Sequence, residues 1–230
     1  MPIISFVSPK GGVGKTTSAL ILATELASSI EQNVTIVDAD PNLPLSRWAK
    51  HGNAPNNLDV VSDKGESTIV DAIAAASERS AFVIVDLEGV ASARVTNAIQ
   101  MSNLAIIPVQ ASLLDAEQAA RAISLIHNTA RAMGRPVPYR VLFNRVPASQ
   151  RIRSRNFKSI AAELDEQSIP AFKTQLAERE AYKSLFTHGG TLDTLDSAAV
   201  ASLVTAKQNA QDFAEEVIGV LRAAKQGRGV

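Results

Sequence analysis

Ser8-Pro9-Lys10-Gly11-Gly12-Val13-Gly14-Lys15-Thr16-Thr17 is the stretch from which the rest of the chain is read. The apolar run before it, Ile3-Ile4-Ser5-Phe6-Val7, predicts a buried strand, and Ser18 to Ala27 after it has the apolar spacing of a helix. A glycine-rich turn between a strand and a helix lets successive backbone N–H groups converge on an anion, and the helix N-terminus adds its partial positive charge. Gly11, Gly12, Val13, Gly14, Lys15, Thr16 and Thr17 are therefore expected to cradle phosphates. In that cradle Lys15 supplies a point charge for the β- and γ-phosphates, and the Thr16 hydroxyl is placed to ligate Mg²⁺. The usual phosphate-loop pattern has Gly where this chain has Pro9, and a second lysine, Lys10, stands directly before the double glycine.

Working outward, Asn33 to Asp38 predicts a second strand running into Ala39-Asp40-Pro41, with two carboxylates two positions apart at its end. Open α/β sheets bind ligands at the carboxyl ends of their strands. Ala81-Phe82-Val83-Ile84-Val85-Asp86 is a near-continuous apolar strand ending in an acid, and Asp86 is expected to hold Mg²⁺ through a coordinated water. Glu88, two residues on, is expected to be a solvated loop acid, with water positioning as the alternative.

The arrangement Lys-Gly-Gly-x-Gly-Lys-Thr-Thr resembles the deviant Walker A motif of the ParA/MinD ATPases. The likeness extends to Asp38-x-Asp40-Pro41, Asp86 and the Ile106-Ile107-Pro108 strand, and covers nearly the whole chain. Within that family the chain is most similar to small ParF-like plasmid-partition ATPases and to the VirC-type ATPase of T-DNA transfer. The resemblance implies an ATP- and Mg²⁺-dependent homodimer with slow intrinsic hydrolysis, in which Lys10 of each subunit reaches the nucleotide of the other. It implies that Asp40 orients the attacking water, that Asp38 and Asp86 tune the Mg²⁺ shell, and that Asn144 reads the adenine edge. It also implies non-specific DNA binding in the ATP state and release by hydrolysis, accelerated by a ParB-like centromere-binding partner. No segment precedes the first strand that would carry a helix-turn-helix, so operator binding is not expected.

Composition narrows the reading. The 230 residues fit one α/β domain, and 46% hydrophobic content supports a full core. With no cysteine, the chain cannot hold the iron–sulfur cluster that some relatives carry between subunits. No apolar run reaches the roughly 18 residues that span a bilayer, and no basic segment precedes an apolar one at the N-terminus. A cytoplasmic, nucleoid-associated protein is expected. Formal net charge is zero, but Gln118 to Ala162 contains nine Lys and Arg residues and no acid. Such asymmetry predicts one basic face on an acidic body. Arg151, Arg153, Arg155 and Lys158, at the start of a helix running to about Leu164, are the expected contacts to DNA phosphates.

Elsewhere, a short helix is predicted over Leu43 to His51, with Trp48 as a packing residue, and a short strand over Leu58 to Val61. Helices follow over Ser67 to Ser77, Ala91 to Met101 and Leu114 to Met133, and strands over Leu104 to Val109 and Tyr139 to Arg145. A last strand is predicted over Ile169 to Thr174 and a terminal helix over Asp196 to Ala224. Alternating strands and helices give an α/β fold with a mostly parallel sheet and helices on both faces. One P-loop domain over residues 1–224 and a flexible tail over 225–230 are expected. The alternative is a MinD-like or cargo-positioning ATPase that acts on a membrane surface or a protein complex. A membrane role asks for a basic amphipathic C-terminal helix, whereas this one has Glu215 and Glu216 and then mostly small residues after Leu221.

Overall fold

The computed structural model describes residues 1–63, 68–89, 92–110, 112–148 and 155–226. Seven strands alternate with helices: β1 (Ile3–Phe6), α1 (Lys15–Ser29), β2 (Val34–Ala39), α2 (Pro44–Lys50), β3 (Leu58–Ser62), α3 (Ile69–Arg79) and β4 (Phe82–Leu87). There follow α4 (Ala93–Met101), β5 (Leu104–Val109), α5 (Leu113–Met133), β6 (Tyr139–Val146), α6 (Arg155–Glu166), β7 (Leu176–Ala177), α7 (Glu180–His188) and α8 (Leu203–Gln226). The strands form one sheet in the order β3-β2-β4-β1-β5-β6-β7, and every pairing is parallel. This is the α/β architecture expected from the sequence.

Strand side chains alternate between faces, and the two faces carry two cores. Ile4, Phe6, Ile36, Ile84, Leu104, Ile106 and Leu142 join α1, α2, α7 and α8 in one cluster. Val37, Val83, Val85, Ala105, Ile107, Val141 and Phe143 join α3, α4, α5 and α6 in the other. Because both faces are covered, β1, β2 and β5 are buried along their whole length and β4 nearly so, whereas the edge strand β3 leaves Asp59 and Ser62 exposed. Helix α1 is buried almost all round from Ser18 to Ala27, which fixes the direction of the loop that feeds it. Trp48 is 1% exposed and donates from Nε1 to the Gly190 carbonyl at 3.1 Å, so it is a packing residue as expected.

Two elements differ from expectation. Ile169 to Thr174 makes no full strand: it touches β6 through a single bridge, Val141 to Ala171, and β7 follows later with two residues. The reason is Glu216 of α8, whose carboxylate accepts from the backbone N–H groups of Lys173 and Thr174, both at 2.8 Å. A ladder cannot use those donors. The terminal helix begins at Leu203 instead of Asp196, because Asp196 accepts from the Ala198 N–H at 2.9 Å in a local turn and Ser202 is left-handed at φ 59°. Its other end runs to Gln226, two residues into the expected tail. No helix among the described residues is long and apolar enough to cross a membrane.

Candidate nucleotide site

The carboxyl ends of β1, β2, β4, β5 and β6 converge on the loop between β1 and α1. Gly12 (φ 79°) and Gly14 (φ 91°) sit in the left-handed region, where a side chain is strained, and Gly14 caps α1 so that Lys15 is its first residue. The segment after β4 comes close: a Cβ on Gly89 would lie 3.1 Å from the Gly11 nitrogen. Lys15 is buried, donates from Nζ to the Lys10 carbonyl at 3.1 Å, and has its pKa lowered by burial, against the opposing pull of Asp86 and Asp40. It closes the loop upon itself.

Register puts the two strand-end acids side by side. Asp38 pairs with Asp86, and Asp86 with Phe6, so both carboxylates continue the α1-facing side of the sheet. Both are fully buried. Asp38 Oδ2 accepts from the Ser46 N–H at 2.7 Å, whereas Asp38 Oδ1 and both Asp86 oxygens have no hydrogen-bond partner among the described residues. Burial pushes the Asp86 carboxyl up to about 7. The nearby Thr16 hydroxyl opposes this without closing a well-formed bond, Asp38 and Asp40 add to it, and Lys15 works against it. Burial raises Asp38 as well, and the Ser46 backbone N–H moderates the rise. Buried, unpaired carboxylate oxygens beside a hydroxyl form a hard oxygen donor set suited to Mg²⁺. No cluster of three or more His, Cys, Asp or Glu side chains forms among the described residues. A metal here would therefore share its coordination with phosphate oxygens, as Mg²⁺ commonly does. Asp40 lies at the mouth of the same cleft, where its Oδ1 caps the Asn42 N–H at 2.8 Å.

That cleft has a volume of ≈ 460 Å³ and continues from the loop to Arg145, Arg179, Tyr182 and Phe186, room enough for a nucleotide. Two of the sequence-predicted residues have other partners in it. Asn144 is nearly buried; its Nδ2 lies within reach of the Val13 carbonyl (3.0 Å), the Gly14 carbonyl (3.1 Å) and Ser18 Oγ (2.8 Å), and its Oδ1 accepts from the Arg145 N–H (2.9 Å). It clamps the phosphate loop, and a Cβ on Gly14 would fall 2.2 Å from its Nδ2. Lys10, expected to reach the nucleotide of a second subunit, donates to Asp115 Oδ1 of its own chain at 2.8 Å. Asp115 is buried in the first turn of α5, where the Ser112 hydroxyl donates to its other oxygen.

A scan of family models matches the VirC1 protein family over residues 1–221. "Protein ParA" of Rhizobium radiobacter is 39% identical over 224 residues, covering 97% of this chain and 99% of that protein. The chain belongs to the VirC1/ParA family. Protein virC1 of Rhizobium rhizogenes is 27% identical, with 96% of both chains covered. Among solved structures, an ATP complex of a Cyanothece McdA variant has TM-score 0.72 at 19% identity, covering 94% of this chain and 96% of that one. MinD of Aquifex aeolicus has TM-score 0.71 at 18% identity, covering 95% and 98%. At such identities these two attest the P-loop fold that the sheet order already gives.

Several residues of this VirC1/ParA site escape sequence reading. The Gly12 carbonyl is held by Gln110 Nε2 at 2.9 Å and Arg145 Nη1 at 3.1 Å. Arg145 is left-handed at φ 53°, at a shift in register between Asn144 and Val146. That irregularity turns its side chain back toward the loop, where it also pairs with Glu178 at 3.2 Å. Glu88 accepts from the Ser92 hydroxyl at 2.8 Å and serves its own turn. Of the expected DNA contacts, Arg151 and Arg153 lie outside the described residues, Arg155 opens α6, and Lys158 is exposed on it. Arg121 and Arg131 are exposed on α5, which lies against α6. Arg121, Arg131 and Lys158 of the acid-free stretch are thus exposed on two neighbouring helices.

Proposed function

We propose that this chain is an ATP-driven switch that dimerises around ATP and Mg²⁺, binds DNA without sequence preference, and releases it on hydrolysis stimulated by a ParB-like partner. The observation that carries this reading is the pair of buried carboxylates, Asp38 and Asp86, three of whose four oxygens have no hydrogen-bond partner among the described residues, beside Thr16 and Lys15 in a glycine loop. Gly11 to Thr17 bind the phosphates, Lys15 exchanges the Lys10 carbonyl for the β- and γ-phosphates, and Thr16, Asp38 and Asp86 hold Mg²⁺ and its waters. Mg²⁺, when bound, neutralises charge building on the γ-phosphoryl group. Asp40, at the mouth of the cleft, orients the attacking water. Lys10 exchanges Asp115 for the nucleotide of a second copy, which couples dimerisation to ATP. The exposed cations of α5 and α6 support contact with phosphate backbones, a role we assign to Arg151, Arg153, Arg155 and Lys158. The partner's role rests on family membership.

Asp40→Ala tests this. It removes a group that matters to the transition state and little to the ground state. ATP affinity should be retained, hydrolysis slowed by about 10²-fold or more, and retention on non-specific duplex DNA should persist with ATP and be absent with ADP. Equal DNA retention with ATP, ADP and no nucleotide contradicts the switch.

A further inference from the structure

Outside the phosphate loop, the described residues contain one buried cation whose side chain reaches the catalytic side of the sheet by another route. Arg94 stands in the first turn of α4, with its side chain 8% exposed. Its Nη1 donates to the Ala39 carbonyl at 2.9 Å. Ala39 is the residue between Asp38 and Asp40 and the last of β2. Arg94 Nε faces Asp63 Oδ2 at 3.6 Å, an ion pair without a hydrogen bond at either atom among the described residues. Asp63 is itself buried just past β3; its N–H donates to the Asp38 carbonyl at 3.0 Å, and its Oδ1 accepts from the Thr68 hydroxyl before α3.

One guanidinium therefore joins three segments around the nucleotide cleft: the turn after β2, the end of β3, and α4, which follows the Asp86-to-Gly89 segment. Burying a guanidinium is costly, and a buried ion pair rarely stabilises a fold more than apolar side chains of similar volume. The pair with Asp63 is loose. The well-formed bond is the one to Ala39, which lies on the backbone between the two acids of the site. We propose that Arg94 is a positioning residue for Asp40. It holds the Asp38-Ala39-Asp40 backbone through the Ala39 carbonyl, Asp63 keeps its charge compensated, and α4 transmits the position of the segment after β4 to the turn that carries Asp40. The proposal rests on the reading that Asp40 orients the hydrolytic water.

Four variants test it by single-turnover ATP hydrolysis, followed long enough to resolve residual rates: Arg94→Met, Arg94→Lys, Asp40→Ala and Arg94→Met with Asp40→Ala. Displacement of a positioned group by about 1 Å lowers a rate by up to about 10²-fold. Arg94→Met is expected to lose about ten- to a hundredfold in kcat while ATP affinity stays within about twofold. Arg94→Lys keeps the charge opposite Asp63 but lacks the fork that also reaches Ala39, so it should show a smaller loss in a chain that folds normally. In the Asp40→Ala background Arg94→Met should change nothing further, because the group it positions is gone. If both Arg94 variants hydrolyse at the wild-type rate, or if Arg94→Met costs its full factor again in the Asp40→Ala background, Arg94 does not act through Asp40. Wild-type hydrolysis by Asp40→Ala would remove the role of Asp40 itself and with it the proposal. A merely structural Arg94 would lower the melting temperature and ATP affinity without this selective loss in kcat.

Discussion

Asp86, next to last in β4, has both carboxylate oxygens buried and without a hydrogen-bond partner among the described residues, and burial pushes its carboxyl up to about 7. An unfolded aspartate titrates near pH 3.9. Below that value both states hold the proton; between about 4 and about 7 the folded state holds one that the unfolded state has released, so stability falls as pH rises through this window and is flat above it. Nucleotide-free protein should therefore melt at progressively lower temperature from about pH 5 to about pH 7, and Asp86→Asn should flatten part of that slope. Glu25, also pushed up to about 7 by burial, contributes with the same sign in both proteins, so the difference between their slopes reports Asp86 together with its influence on Lys15 and Asp38. Identical slopes would mean that Asp86 is ionised without metal. Lys15, Thr16, Asp38 and Asp86 are legible in the sequence because strand, turn and helix place them by local spacing alone. The partners of Lys10 and Asn144 are not. Asp115 is 105 positions from Lys10, and Val13 is 131 positions from Asn144, so only the closed sheet brings them together. Arg94 carries no local signal either, since its target is a backbone carbonyl 55 positions away.

At the scale of elements, the central strands β1, β2, β4 and β5 are plain in the sequence because burial on both faces makes them largely apolar runs. The region after α6 is less legible. There a side chain of α8 takes the backbone donors of Lys173 and Thr174, and a local Asp196 turn competes with helix, so tertiary contacts override the apolar pattern. The acid-free stretch survives as an element-level feature: exposed Arg121 and Arg131 on α5, and Lys158 on α6. Not all of its charge is free. Arg145 turns inward to Gly12 and Glu178, and Arg135 donates to the Gln100 carbonyl. Replacing Arg151, Arg153 and Arg155 together by Ala should weaken ATP-dependent DNA binding for all sequences alike. Each lost phosphate contact should reduce the slope of log affinity against log salt by about 0.9. An unchanged slope would make these arginines a solvated helix face.

For the whole molecule, a chain of zero formal net charge folds with exposed cations of its acid-free stretch on α5 and α6 and its phosphate loop at the carboxyl ends of the strands of a seven-stranded sheet. That geometry leaves Lys10 at the rim of the cleft, 32% exposed, on a buried acid of its own chain. A second copy would have to offer it a triphosphate good enough to displace Asp115, which makes dimerisation conditional on nucleotide and each site dependent on both subunits. In the proposed site Lys15 serves the nucleotide of its own chain, so loss of Lys10 should spare ATP binding and abolish pairing. The most direct measurement is sedimentation of wild type and Lys10→Ala with ATP and Mg²⁺, each at a concentration that saturates the nucleotide site. Wild type should pass from monomer to dimer with ATP and not with ADP, while Lys10→Ala remains a monomer with ATP bound. A Lys10→Ala protein that dimerises with ATP as wild type does would contradict the account.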